Sequence, residues 1–522
     1  MRILLPCLAL SSLFGSSLFA ARDCEPLAKL ALPNTTVETA QLVGGSFVPP
    51  GSTNAIRGLP PFCRVVGSIR PSPDSDIRFE VWLPFDNWNG KFQGIGNGGF
   101  AGALNFGGLV GAIQHGYAAA TTDTGHQAGG QEAGWALNHR EKIIDFGWRA
   151  IHETAVKGKA FVQAYYGQAP KRSYFSSCSN GGRQALMEAQ RFPEDYDGII
   201  AGAPANYFTH LVSLGVYSSQ VTMAKKESYI PASKLKAIQQ VAHDACDLND
   251  KVADGVIEEP LKCKPDYNKL LCQGPEMDSC LTAPQLEALK AVHAGPHNKK
   301  GQRVFPPVAI GGEAAAGGWG AWLTGPAPER SSMYAFGTEF YKNMVYSDPK
   351  WDYKAFDVDR DVQAADEKLA GVLNATNPDL SKFQARGGKL ILYHGWCDAA
   401  IPAENTIDYY RSVEKKMGEK KTREFVRFFL APGVQHCAGG AGPSSFGQAG
   451  PRGGDAESDI DAALVKWVEQ GVAPERIIAS KFRPGQPNDP AERTRPLCAF
   501  PLVARFKGTG STDEAANFDC AR

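Results

Sequence analysis

The sequence predicts an α/β fold: a mostly parallel sheet laid down in two parts, with a long insertion between them. Three observations carry that prediction. From Ile77 to Ala205, strand-like runs alternate with helix-like ones, as a parallel sheet requires because its crossovers are helices. One of those strands, Ser173 to Ser176, passes through Ser177-Cys178-Ser179-Asn180-Gly181-Gly182 straight into a helix-like run, Gln184 to Phe192. Beyond Asn206 the alternation stops, and it resumes only after Gly387-Gly388. The length of 522 residues agrees, since it calls for two domains or one domain with a large insertion.

Composition narrows the function classes. The 55 basic and 55 acidic residues balance at a pI near 7.1, which favours neither nucleic acid nor an anionic membrane as partner. Glycine (56) and proline (35) mark many turns, but 43% hydrophobic residues suffice for a core. Residues 1–20 read as a signal peptide: Arg2 supplies the charge, Ile3 to Leu10 and Leu13 to Phe19 the apolar core, and Leu18-Phe19-Ala20 the cleavage site. Interruptions by Ser and Gly argue against an anchor, and no other apolar run approaches the roughly 18 residues a spanning helix needs. The chain is therefore expected to be secreted or periplasmic. Of its 12 cysteines, all but Cys7 survive removal of the signal. An exported chain so rich in cysteine is expected to hold disulfides, and the odd remainder leaves at least one thiol free or intermolecular. No C-x-x-C pair occurs, which argues against a thiolate zinc site.

The elements follow in order. Cys24 to about Arg70 reads as loop-rich, with Cys24 and Cys63 a candidate staple. Ile77 to Pro84 alternates like a strand, Asp86 to Gly90 is a turn, and Lys91-Phe92-Gln93 is the next short strand. It runs into Gly94-Ile95-Gly96-Asn97-Gly98-Gly99-Phe100-Ala101-Gly102, where Gly94, Gly96 and Gly99 satisfy the dinucleotide fingerprint G-x-G-x-x-G. Two features count against that reading. Ala103 to Leu109, with Gly107-Gly108, opens a helix poorly, and glycines run on past the motif. A loop exposing backbone N–H groups after an early strand is also where half of an oxyanion hole is built. Tyr117 to Thr122 reads as a strand, Asp123 to His126 as a loop, and Trp148 to Tyr166 as a helix stopped by Gly167 and Pro170. Tyr196 to Gly202 is the next strand. The region 206–385 reads as an inserted lid domain, with helices Ser233 to Ala245 and Pro284 to Ala294 and tryptophans at Trp319, Trp322 and Trp351. The core resumes with strand Lys389 to Tyr393, helix Asn405 to Met417, strand Phe425 to Leu430 and helix Ala456 to Gln470. The domain reading is thus signal peptide 1–20, core 21–205, lid 206–385 and core 386–522, with Cys498 and Cys520 pinning the tail.

Ser179 is where chemistry is expected. Small residues two either side of it, Ser177 and Gly181, are what a nucleophile elbow requires, because larger ones collide with the neighbouring strand and helix. The pattern is G-x-S-x-G with Ser177 in the first glycine's place; an ordinary βα turn has the same composition. A serine nucleophile needs a base to take its proton and an acid to orient that base. In an α/β-hydrolase these follow in the order Ser, Asp or Glu, His, each in a loop after a core strand. Asp398, in His394-Gly395-Trp396-Cys397-Asp398, and His436, in Ala431 to Cys437, meet both order and context. His394 competes as the base, but it precedes the acid and ranks as a structural or pocket residue. The expected fold is therefore an α/β-hydrolase fold with a large inserted lid, and the expected catalytic residues are Ser179, Asp398 and His436. Cys178 and Cys437 adjoin two of them. A disulfide between these cysteines would hold their Cα atoms within about 4.4–6.8 Å and tie the two loops, although each has other cysteines to pair with.

Cys178-Ser179, Asp398 and His436-Cys437 resemble the Cys-Ser, Asp, His-Cys signature of the tannase and feruloyl esterase family. Gly96-Asn97-Gly98-Gly99-Phe100, Cys178 to Gln184, Phe192 to Gly198 and Gly395 to Asp398 are similar to its sequence blocks. The resemblance spans nearly the whole mature chain. It implies a secreted serine esterase with a lid, acting on esters of aromatic acids, with the backbone N–H groups of Gly98 and Asn180 as the oxyanion hole. The tail, Arg493 to Cys498 and Ala515 to Cys520, is similar to that of the family's bacterial mono(2-hydroxyethyl) terephthalate hydrolases.

A second candidate site is Asp247-Leu248-Asn249-Asp250-Lys251-Val252-Ala253-Asp254-Gly255-Val256, between Cys246 and Cys263. Closely spaced hard oxygens suit Ca²⁺, but the spacing is not that of an EF-hand, and a solvated acidic loop has the same composition. The family's calcium loop looks similar here. That implies a structural Ca²⁺ held by the side chains of Asp247, Asp250 and Asp254 and the carbonyls of Val252 and Val256. The resemblance also implies the pairs Cys24–Cys63, Cys246–Cys263, Cys272–Cys280 and Cys498–Cys520, which leaves Cys397 as a buried free thiol.

The expected function is hydrolysis of aromatic acid esters of the feruloyl or hydroxycinnamoyl type, on small molecules or attached to plant polysaccharide. Galloyl and terephthaloyl esters are alternatives. Trp319 and Trp322 are candidates to stack on an aromatic acyl group, although tryptophans more often belong to cores, and Arg330 is a candidate partner for a substrate carboxylate. A non-catalytic binding protein on a hydrolase scaffold and a dinucleotide oxidoreductase are the competing classes; the esterase reading expects no organic cofactor.

Overall fold

The parallel part of the chain builds its sheet from strands too short and too buried to alternate. In the computed structural model, which describes residues 23–448, 454–486 and 489–522, nine strands form one sheet. They are β1 (Thr35–Phe47), β2 (Ile56–Ile69), β3 (Ile77–Pro84), β4 (Lys91–Ile95), β5 (Ala118–Thr122), β6 (Arg172–Cys178), β7 (Gly198–Gly202), β8 (Lys389–Gly395) and β9 (Val426–Ala431). Their order is β1-β2-β3-β5-β4-β6-β7-β8-β9. Strands β1, β2, β3 and β5 pair antiparallel in succession, and from β5 through β4 to β9 all pairing is parallel. Without β1 this is the order and direction of an α/β-hydrolase sheet. Every residue of β5 and β7 is buried, because helices cover both faces of a parallel sheet. The expected signal peptide lies outside the described residues.

Helices α1 (Phe106–Gln114), α2 (Ala150–Tyr166) and α3 (Asn180–Arg191) make the early crossovers. Between β7 and β8 comes the long insertion, which adds no strand to the main sheet. It carries α4 (Phe208–Met223), α5 (Leu235–Cys246), α6 (Ala283–Ala294) and α7 (Ser332–Glu339). Two glycines let α4 and α7 close on each other: a Cβ on Gly337 would stand 2.5 Å from Val216, and one on Gly215 would stand 3.0 Å from the Met333 carbonyl. The core then continues through α8 (Ala403–Met417), α9 (Glu419–Phe425) and α10 (Ile460–Gln470). No helix among the described residues is long and apolar enough to cross a membrane.

Three sequence expectations are corrected. Cys24 to Arg70 is not loop-rich; it forms the long β1–β2 ladder. Strand β1 is a largely exposed edge, so it shows no alternation, and Pro60-Pro61 sits where the register shifts near Gly45, the bulge position that a strand proline tolerates. Ala103 to Leu109 does lead into a helix: Asn105 caps α1 by accepting from the Gly108 N–H at 2.9 Å. Gly108 is required there, since a Cβ would lie 2.3 Å from Ile95. What sets this loop apart from a dinucleotide site is therefore the second feature. The glycine run continues past Gly99, and the helix opens only at Phe106, away from where a pyrophosphate would sit. Finally, the tail is more than pinned. It forms two hairpins, β10 (Arg476–Lys481) with β11 (Arg493–Cys498) and β12 (Val503–Phe506) with β13 (Phe518–Ala521).

Candidate active site

Ser179 occupies the turn between β6 and α3 at φ 68°, ψ −127°, a backbone region that non-glycine residues enter only when their surroundings impose it. Here they do. The Ser179 N–H donates to the Gly202 carbonyl at 2.9 Å, and its own carbonyl accepts from Arg183 and Ala205, both at 3.1 Å. The glycines after it are steric necessities. A Cβ on Gly181 would fall 1.9 Å from Ser177 Oγ, and one on Gly182 would fall 2.3 Å from the Gly202 carbonyl.

Three side chains from loops after β6, β8 and β9 form one hydrogen-bonded line. His436 Nε2 lies 2.8 Å from Ser179 Oγ, and His436 Nδ1 lies 2.8 Å from Asp398 Oδ2. Asp398 Oδ1 accepts from the N–H groups of Ala400 (2.8 Å) and Ile401 (2.9 Å). Burial opposes ionisation of Asp398. The charge on His436 and the hydrogen bonds from His394 and His436 outweigh it, and hold the carboxyl well below the usual carboxylate range. His394 is wholly buried, and its two ring nitrogens bond to Thr406 Oγ1 and the Ile401 carbonyl rather than to Ser179. The line behaves as one unit: it can take a proton from Ser179 Oγ and carry the resulting imidazolium beside a fixed carboxylate.

One disulfide ties this geometry together. Cys178 and Cys437 are bonded, with Cα atoms 6.0 Å apart. The pairs Cys24–Cys63, Cys246–Cys263, Cys272–Cys280 and Cys498–Cys520 are present as well. Cys397 is a buried free thiol, pushed up to about 12 by burial and by nearby Glu313, so it is not a ready nucleophile.

Asn180 heads α3, so its N–H has no acceptor within the helix; Gly98 lies in the facing loop with open space above it. Residues that the sequence reading did not assign hold both in place. Gln184 Oε1 accepts the Asn97 N–H at 3.0 Å, and Gln184 Nε2 donates to Asn97 Oδ1 at 3.3 Å. Asn97 Nδ2 in turn donates to the carbonyls of Ala103 (2.9 Å) and Thr122 (2.7 Å). Arg183, fully buried, donates to Asn180 Oδ1 at 2.8 Å and to the carbonyls of Phe146, Gly147 and Leu373. Both belong to the Cys178–Gln184 block, which is the one signal that could have found them.

Ser179 and His436 open onto a cavity walled by Phe208, Leu211 and Val212 of α4, Met333 and Phe336 of α7, and Trp322. Trp322 stands edge-on to the His436 ring at 5.1 Å. No Lys, Arg, Asp or Glu side chain among the described residues lines this cavity. Two sequence candidates are elsewhere. Trp319 is 2% exposed and packs in the insertion's own core against His293. Arg330 lies on the exposed surface after Gly325. The cavity wall itself was not read from sequence, because an apolar helical stripe looks the same whether it faces a core or a ligand.

The acidic loop offers hard oxygens, one of which, Asp254 Oδ2, also pairs with Arg495 (2.5 Å) and Arg493 (3.2 Å). Asp247 accepts the Gly255 N–H, Asp250 that of Val252 and Asp254 that of Val256, at 3.0–3.2 Å, closing the loop inside the Cys246–Cys263 disulfide. Burial, and then repulsion between the two, raises Asp250, while burial outweighs Arg495 and Arg493 in raising Asp254. Burial and then repulsion from Asp250 push the adjacent Glu258 up to about 8. An all-oxygen, carboxylate-crowded donor set is what Ca²⁺ takes. A second cluster, His152, Glu188 and Asp195, brings its ligand atoms within 4.8 Å of one another. There Asp195 is already bound by His152 (2.6 Å) and Lys159 (3.0 Å), an ion-pair network that meets its charge.

Known proteins share this architecture. The family model described as tannase and feruloyl esterase matches residues 63–521. An uncharacterised esterase of Xanthomonas campestris pv. campestris is 42% identical, over 100% of this chain and 95% of its own. A probable feruloyl esterase B-2 of Aspergillus terreus is 33% identical, over 96% and 97%. The crystal structure of feruloyl esterase B from Aspergillus oryzae superposes with a TM-score of 0.88 at 30% identity, covering 95% of this chain and 98% of that one. Tannin acyl hydrolase from Aspergillus niger, at 24% identity and a TM-score of 0.76 over 96% and 95%, shares the fold.

Proposed function

The chain belongs to the tannase and feruloyl esterase family and is a carboxylic ester hydrolase, and from that premise we propose a secreted serine esterase for aromatic acid esters of the feruloyl or hydroxycinnamoyl type. The observation that carries the proposal is the unbroken hydrogen-bonded line from Ser179 through His436 to Asp398, ending at an apolar cavity. In this mechanism His436 Nε2 takes the Ser179 proton as Oγ attacks the ester carbonyl. The N–H groups of Gly98 and Asn180 receive the oxyanion, and Asp398 steadies the imidazolium. His436 then protonates the departing alcohol. Water, deprotonated in turn by His436, releases the acid from the acyl-enzyme.

The cavity wall supports a choice of acyl group. A terephthaloyl ring carries a carboxylate, which would need a cationic partner in this wall; Arg330 is not in it. A galloyl ring brings three hydroxyls to a wall of Phe, Leu, Val, Met and Trp, where each buried without a partner is costly. A hydroxycinnamoyl ring suits that wall better, with attachment to plant polysaccharide an extension of the same reading. In the insertion, read as a lid, Asp247, Asp250 and Asp254 with the carbonyls of Val252 and Val256 would hold Ca²⁺, which supplies a cross-link and no part of ester cleavage. Ser179→Ala should lower kcat on methyl ferulate by roughly 10⁴-fold or more while the melting temperature is kept. Full residual activity would refute the mechanism, and a kinetic panel that favours methyl gallate or a terephthalate monoester would refute the acyl assignment.

A further inference from the structure

We propose that His394 is a positioning residue for ester hydrolysis, a second imidazole that shares the Asp398 carboxylate with His436 and holds it turned toward that base. The inference rests on the Ser179–His436–Asp398 reading and adds a member that the usual triad lacks.

The geometry is specific. His394 Nε2 lies 2.8 Å from the Ile401 carbonyl, and a carbonyl only accepts, so Nε2 carries a hydrogen. The same nitrogen lies 3.2 Å from Asp398 Oδ2, the oxygen that also accepts from His436 Nδ1 at 2.8 Å. On the other side of the ring, Nδ1 lies 2.8 Å from Thr406 Oγ1 of α8. The ring is thus fixed between the end of β8, the turn after Asp398 and a helix, and is 0% exposed. Asp398 is held at both oxygens. Two backbone N–H groups take Oδ1, His436 takes Oδ2, and the single His394 Nε2–H is shared between the Ile401 carbonyl and, as its longer arm, that same Oδ2. The other titratable groups near this carboxylate are Cys397 and Tyr393 on its own strand and loop, and Glu313, from the insertion, beside Cys397. None of them donates to Oδ2.

Two consequences separate this role from mere packing. Without His394, Oδ2 keeps one donor, so the carboxylate loosens and kcat falls. It also becomes a stronger acceptor for His436 alone, which favours the imidazolium and moves the acidic limb of kcat/KM to higher pH. KM should hold, because His394 does not line the cavity.

The test compares His394→Leu, His394→Gln and Thr406→Val in the full-length enzyme, with methyl ferulate, across pH. His394→Leu should lower kcat roughly ten- to a hundredfold, the scale of a hydrogen bond to a charged group, with the acidic limb shifted upward and KM within about twofold. His394→Gln, whose amide nitrogen reaches the Nε2 position, should restore most of kcat and the limb. Thr406→Val, which frees the ring at Nδ1, should shift both in the same direction by less. An unchanged limb in His394→Leu, or a kcat loss that Gln does not rescue, would overturn the role. Should His394→Leu not fold, wild-type kinetics in Thr406→Val would overturn it. Ser179→Ala is run in parallel. If it is dead while the His394 variants behave as wild type, the esterase mechanism stands and this role alone falls; if it is active, the mechanism itself falls.

Discussion

Gly181→Ala measures how tightly the elbow is built. The added Cβ would lie 1.9 Å from Ser177 Oγ, 2.6 Å from Ser177 Cβ and 3.3 Å from the Asn97 carbonyl. Rotating Ser177 relieves the first contact but not the second, so the backbone around Ser179 has to move. Overpacking of this kind costs about 1–3 kcal/mol, and a shift of roughly 1 Å in the nucleophile costs on the order of 10²-fold in rate. Ser177→Gly removes the two closest atoms and leaves the Asn97 carbonyl, at 3.3 Å, as the nearest, which a few tenths of an ångström would relieve. By itself it should cost about 0.5–1 kcal/mol of backbone entropy. The double variant should therefore be more stable and more active than Gly181→Ala, with a coupling energy of about 1–2 kcal/mol. Urea unfolding and kcat/KM on methyl ferulate read the cycle. A Gly181→Ala enzyme with wild-type stability and rate, or a double variant no better than Gly181→Ala, would refute the steric account of the elbow.

Mild reduction of Cys178–Cys437, or the Cys178→Ser and Cys437→Ser pair, should cost activity before it costs the fold. The bond spans a sequence separation of 259, worth up to about 5 kcal/mol in the chain-entropy picture, but its local work is to hold the Ser179 and His436 loops together; full activity with both thiols free would contradict this. Asp123, 2% exposed, is pushed up to about 7 by burial, against the N–H groups of Gly125 and Arg78. Its folded pKa exceeds the unfolded one, so the folded state binds more protons and stability falls as pH rises from about 4 to 7; Asp123→Asn should flatten that slope in urea unfolding, and identical slopes would count against it. Chelation by EGTA should lower the melting temperature of the wild type and leave Asp250→Asn unmoved; a wild type indifferent to EGTA would remove the calcium proposal.

What was legible in the sequence was what has short-range grammar. Ser179, Asp398 and His436 each sit at the end of a recognisable strand, and their order is that of the fold. The rest depends on contacts between distant segments. Strand β1 looks like loop because an edge strand needs no alternation. Helix α1 looks implausible because Gly108 serves the close approach to Ile95 rather than helix propensity. Trp319 and Trp322 lie on one short helical turn, and nothing local says that the first closes the insertion's core while the second reaches His436. Arg183 and Gln184 carry no sign of burial in their own residue types, yet one fixes Asn180 and the other fixes the Gly98 loop.

The division of labour in the chain follows from where these contacts come from. Every donor and acceptor in the Ser179–His436–Asp398 line belongs to the two core segments, and the ties that align them, Cys178–Cys437, Gln184–Asn97 and His394–Asp398, also stay within the core. The insertion contributes no atom to that line, but Leu211, Val212, Met333 and Phe336 supply much of the cavity wall. In the proposed function, packing of α4 on α7 through Gly215 and Gly337 therefore sets which acyl group fits, while the sheet sets what is done to it. Trp322 is the exception, with one face against Phe336 and its edge on His436. It is the place where a change in the insertion would reach His436 directly, so that in the proposed mechanism selectivity and rate cannot be altered independently there.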